Sequence, residues 1–154
     1  MGFADWIANR NLKTFANGIF KSMVITAEMH RNYAVKKGVE VKLYSDLAVM
    51  ALTDRPGWDL LEENIFVNKS GSRLKIEKDY SVADVSLLVV LFELEEHLKP
   101  NMISEDILEL VVSEYKKMFK LPQDKINRII KAWANSFRGS GGVLERLALI
   151  SKYE

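Results

Sequence analysis

The stretch from Ser81 to Leu98, SVADVSLLVVLFELEEHL, decides the fold, because Leu87 to Phe92 are apolar without a break. A helix that is apolar on every side has no face to offer water and belongs inside the molecule. Its start is marked by Ser81 and Asp84, which stand at capping-box spacing. There a hydroxyl accepts one free backbone amide proton and a carboxylate reaches back to accept another. The expectation is a buried central helix over 81–98 with amphipathic helices packed around it.

Downstream, Ser104 is placed to cap the next helix, and Glu105 and Asp106 put the favourable sign in its first turn. Ile107, Leu110, Val111, Tyr115, Met118 and Phe119 follow the helical period, with Glu114 as the one break. Leu121-Pro122-Gln123-Asp124 restarts the chain, and the helix over 123–138 has the cleanest pattern of all. Ile126, Ile129, Ile130, Trp133 and Phe137 share one side, and Lys125, Arg128, Lys131, Asn135 and Arg138 share the other. Gly139-Ser140-Gly141-Gly142 then leads to a last amphipathic helix with Val143, Leu144, Leu147, Ala148 and Ile150 inward.

Upstream, IFVNKSGSRLKIEK over 65–78 alternates on both sides of a glycine turn, which predicts a short β-hairpin near 65–77 with Ile65, Val67, Leu74 and Ile76 inward. Two strands alone are marginal, so the hairpin must lean on helices. Trp58 to Asn64 reads as a short helix, set off by Asp54-Arg55-Pro56-Gly57. Val39 to Thr53 is ambiguous: VEVKLY alternates like a strand, but its length favours a helix from about Glu40 onward. The first helix is expected from about Phe3 to Val35, with Leu12, Phe15, Ala16, Ile19, Phe20, Met23, Val24 and Ala27 inward and Lys36-Lys37-Gly38 closing it. Together these segments predict a mainly α, single-domain bundle over 1–154, of about six or seven helices around the buried helix 81–98.

Composition sets limits on function. With 154 residues, 48% hydrophobic, the chain can build a core without disulfide or metal. It has no cysteine, which excludes disulfide frameworks, thiolate zinc sites and cysteine nucleophiles and fits a reducing, cytoplasmic setting. MGFADWIANR carries acid and base and no apolar core segment, so it does not read as a signal peptide. No apolar run approaches the roughly 20 residues that span a bilayer. Phe3, Trp6 and Ile7 could touch a membrane surface, but few lysines accompany them, and they are read as docking on the protein's own core. Net charge is +1, so nucleic-acid binding would need a local patch. Residues 1–78 carry 12 Lys+Arg against 9 Asp+Glu, residues 79–120 carry 4 against 9, and residues 121–154 carry 6 against 3. An acidic middle between two basic ends can be satisfied within the fold.

The best candidate for binding chemistry is the basic side of helix 123–138 with the loop after it. Lys125, Arg128, Lys131 and Arg138 would follow a phosphate backbone over about 20 Å of helix. Ser140 and Gly141 would add a hydroxyl and flexible amides ahead of a helix N-terminus. The loop is neither a P-loop nor a nucleophile elbow, because the required Gly-Lys-Ser/Thr and leading Gly are missing. Glu93 and His97 lie one helical turn apart, but Leu94 stands where a di-metal bundle wants glutamate, and Glu28 and His30 point to different sides, so no metal and no cofactor is expected. Glu62-Glu63 and the cluster Glu93, Glu95, Glu96 read as solvated carboxylates rather than acid–base pairs. Trp58 and Trp133 read as core.

The order from Leu87 through Ile130 is an apolar helix, a short turn with Ile103-Ser104-Glu105, a helix, Phe119-Lys120-Leu121, and a helix. Over about a third of the chain this order loosely resembles the helical domains of the TerB tellurite-resistance type. Pro100-Asn101 replaces the Asp-Gly that such domains use at the turn, so the resemblance implies no acidic metal site and carries no site residue over.

No complete catalytic set is present, which points away from an enzyme. The expectation is a non-enzymatic binding protein, a small helical assembly or adaptor module that acts through protein–protein contacts and self-associates. The alternative is a nucleic-acid or polyanion-binding protein using the basic face of 123–138 and the Gly139–Gly142 loop.

Overall fold

The computed structural model describes the backbone of residues 3–98, 103–136 and 143–154, and the side chains within those spans except 3–9 and 143–145. The described residues form six α-helices and one small antiparallel sheet: α1 (Phe3–Lys36), α2 (Tyr44–Thr53), β1 (Trp58–Glu62), β2 (Ile65–Asn68), β3 (Arg73–Lys75), α3 (Val82–His97), α4 (Glu105–Phe119), α5 (Gln123–Asn135) and α6 (Val143–Leu149), closed by a 3-10 turn at Ser151–Tyr153. No helix among them is long and apolar enough to cross a membrane.

The central helix is α3. Leu87, Val89 and Val90 are 0% exposed, Leu91 and Phe92 1%, and Leu88 3%, so the hexad is enclosed on all sides. Ser81 Oγ accepts from the Asp84 amide at 3.3 Å, and Asp84 accepts from the Ser81 amide at 2.9 Å, the reciprocal pair that the spacing predicts. Around α3 pack α1, α2 and α5, and α1 also touches α4. Buried Phe20 of α1 meets Tyr115 and Phe119 of α4 edge-on, with ring centroids 5.6 and 5.7 Å away.

The first helix ends as its sequence dictates. Gly38 sits at φ +68°, where a side chain would be strained. The Val39 amide donates to the Ala34 carbonyl and the Gly38 amide to the Val35 carbonyl, which satisfies two of the last free acceptors in the Schellman pattern. In α4, Ser104 Oγ accepts from the Ile107 amide, as its position predicts.

Five expectations are corrected. The helix expected from Glu40 begins at Tyr44, because the Asp46 carboxylate accepts from the amides of Lys42 and Leu43 and fixes the start there, leaving VEVK outside the helix. Trp58 to Asn64 is not a short helix but contains β1, paired antiparallel with β2 (Trp58 opposite Asn68). Its apolar residues have no helical stripe to bury: Trp58 is inside, whereas Leu60 and Leu61 are 52% and 47% exposed. The hairpin therefore gains a third strand, which answers the marginal stability of two. Its parity also differs on one side: Phe66, opposite Leu74, is 0% exposed, whereas Ile65 and Val67 are half-buried. Finally, α5 stops at Asn135, with Ser136 as its cap, rather than reaching residue 138. In the last helix Ala148 faces out, while Ile150 is buried.

Candidate functional site

The basic side of α5 is built as expected up to its last described turn, and its first two cations pair with carboxylates of the chain. Lys125 Nζ lies 3.2 Å from a carboxylate oxygen of Asp84, whose side chain is 0% exposed at the start of α3. Arg128 binds both carboxylate oxygens of Asp79 and lies 5.0 Å over the Tyr80 ring. The hydrogen bond from Arg128 is the main reason that the Asp79 carboxyl sits below its ordinary range. Burial, followed by the charge of Asp84 and a hydrogen bond to it, pushes the Tyr115 phenol upward. Lys131 is exposed and its ammonium forms no ion pair with a described residue. Arg138, Ser140 and Gly141 lie outside the described residues, as does Phe137. A cleft of about 280 Å³ beside α5 is lined by Arg73 and Lys75 of β3 and by Glu77, which lies 3.8 Å from Lys75, together with Ala132 and Ser136.

Two of the other polar candidates, Glu93 and Glu95, are absorbed by the fold. Glu93 receives two hydrogen bonds from Arg55 and one from the Trp58 indole at 3.2 Å. Glu95 lies inside, with the Trp133 indole donating to it at 2.7 Å and Arg146 Nε at 3.0 Å. The reading of Glu93 and Glu95 as solvated is therefore corrected: both face inward from α3, each onto an arginine and a tryptophan. Glu96 is exposed, as are Glu62 and Glu63. His97 meets Phe15 edge-on, and His30 pairs with Asp54 at 2.6 Å. Among the described residues no group of three or more His, Asp and Glu could hold a metal ion. Trp58 and Trp133 are core, at 4% and 0% exposure. The side chains of Phe3, Trp6 and Ile7 are outside the described ones.

A different surface stands out. The α1 helix buries Ala16, Ile19, Phe20, Met23 and Ala27 on one side. At about 100° per residue, Ile25 lies opposite this side, and Met29 and Tyr33 follow it at four-residue spacing, drifting round towards the flank; the three are 57%, 66% and 64% exposed. Past the end of this stripe, Val35, Val39, Leu43 and Tyr44 are exposed as well. From Glu28 to Lys37 only Ala34 is buried, and His30 is half-buried against Asp54 at the end of α2. The clue was available in the sequence: α1 carries two apolar stripes at helical spacing, and one core contact requires only one. Reading inward residues alone passes over the second.

No family model matches the chain, no curated protein matches it, and no solved structure matches it. The resemblance to tellurite-resistance domains is thus one of element order, and its turn, Pro100-Asn101, lies outside the described residues.

Proposed function

We propose that this chain is a non-enzymatic binding protein, a small helical assembly module that works through protein–protein contacts and associates with copies of itself along the outer side of α1. One observation carries the reading: Ile25, Met29 and Tyr33, at four-residue spacing, face solvent in a stripe that starts opposite the core and winds towards one flank of the helix. Single exposed apolar residues are ordinary on any surface, whereas a continuous stripe is a typical partner site. The remaining polar clusters support the same reading, because Glu93, Glu95, Lys125 and Arg128 are engaged with other side chains of the chain and offer no open reaction site.

Size-exclusion chromatography with light scattering tests it. The wild type is expected to grow in mass with concentration, and the variant Ile25→Lys/Met29→Lys to remain monomeric with unchanged circular dichroism. A strict monomer at high concentration sinks the self-association. The second reading, polyanion binding along α5, draws on Lys131 and on the cleft that Arg73 and Lys75 share with α5. It predicts salt-sensitive binding of duplex or single-stranded nucleic acid that Lys131→Ala/Arg73→Ala/Lys75→Ala removes. Absence of binding at low salt disposes of it.

A further inference from the structure

We infer that two copies pair through α1 in antiparallel, two-fold fashion, with Met29 of each copy seated over Gly18 of the other and Ile25 over Ser22. The inference rests on the self-association proposed above and specifies its geometry. Gly18, Lys21, Ser22, Ile25, Glu28 and Met29 are all exposed on one side of the helix. The sequence interval runs four, three, four from Gly18 to Ser22 to Ile25 to Met29, which is the spacing of a coiled-coil seam. In heptad terms Ser22 and Met29 take a, Gly18 and Ile25 take d, and Lys21 and Glu28 take g.

Two features select the second copy as occupant and fix its direction. The seam is small at one end and bulky at the other, so a parallel pair would set glycine against glycine and leave a gap. Reversing one helix sets each bulky residue against a small one, since positions 18 and 29 and positions 22 and 25 share one midpoint. Space for this exists at Gly18, where an added Cβ would meet nothing within 4 Å. A two-fold axis makes every contact occur twice. The flank is also self-complementary: Lys21 and Glu28 are of opposite sign on the same edge, and antiparallel pairing brings each beside the other of the second copy. Within one chain they are two turns apart, and neither forms an ion pair with a described residue.

Sedimentation equilibrium on Lys21→Glu, Glu28→Lys and the double variant tests the charge pairing. Each single change places like charges together at two symmetric points and is expected to weaken association about tenfold. The double change restores opposite charges and is expected to return it to within about twofold of wild type. Because the chain has no cysteine, Gly18→Cys and Met29→Cys report the register under oxidation. Either variant alone has its two thiols about 16 Å apart along the helix axis and stays uncrosslinked, whereas the mixture forms a disulfide-linked heterodimer. Association that ignores the charge changes, or crosslinking of Gly18→Cys with itself, overturns the antiparallel pairing while leaving self-association through another surface intact. A wild type that stays monomeric overturns both.

Discussion

Arg146 is 3% exposed, and its guanidinium reaches Glu95, the Trp133 carbonyl at 3.0 Å, and the Ser136 carbonyl and hydroxyl at 3.2 and 2.9 Å. It also lies 5.1 Å from the Trp133 ring centroid. A charge this deep is tolerated because the carboxylate opposite it is equally enclosed and the remaining N–H groups find oxygens. Arg146→Met strands Glu95 as a buried charge and is expected to cost about 3–5 kcal/mol in urea unfolding. Arg146→Met/Glu95→Leu should recover part of that loss, the signature of a coupled pair. None of this was legible in the sequence, where Glu95 belongs to an acidic run and Arg146 is one cation in a short helix. The bond joins residues 51 positions apart, and local pattern says nothing about such partners. The same limit hid the clasp of Arg55 and Trp58 on Glu93.

At the scale of elements, boundaries written in local chemistry and the β2–β3 hairpin could be read, and the third strand of the sheet could not. The Ser81 and Ser104 caps, the Gly38 terminus and the apolar hexad of α3 act within a few residues of themselves. Ser81→Ala removes one such bond and is expected to lower stability by about 1 kcal/mol, measured by the shift in urea midpoint at unchanged slope. No shift would mean that the Asp84 half of the box suffices. By contrast, β1 owes its state to pairing with β2, so WDLLE carries no period of its own that announces a strand. The start of α2 was misplaced for a related reason: an aspartate three residues inside the helix fixes it, with leucine at the cap position itself.

For the whole molecule, charge linkage sets the pH range of stability. Burial alone would raise the Glu114 carboxyl, but the bonds from Asn17 and Lys117 and the charges of Lys117 and Lys13 outweigh it and hold it below the ordinary 4.5. Asp79 lies below 3.8 through Arg128. In acid the unfolded chain therefore binds more protons at these groups, and the stability present above pH 4.5 is lost as pH falls through the folded values. Tyr80, Tyr115 and Tyr153 shift upward, mainly by burial, so the native state keeps protons that the unfolded chain releases. Their contribution is complete below pH 10 and is lost as pH rises above it. Urea midpoints across pH should show a plateau with these two flanks, and Glu114→Gln should shallow the acid one. An acid flank unchanged by that substitution removes Glu114 from the account. At this scale the helical bundle was legible from periodicity, whereas the outward stripe of α1 was masked by the inward one beside it. That long helix has a further consequence. Its middle turns hold Phe20 and Met23 in the core, while its final turns are tied to the rest mainly by Ala34 and the His30–Asp54 pair. Unwinding is therefore graded along one continuous rod: the far end can fray and re-form by itself, but the middle lets go only when everything else does.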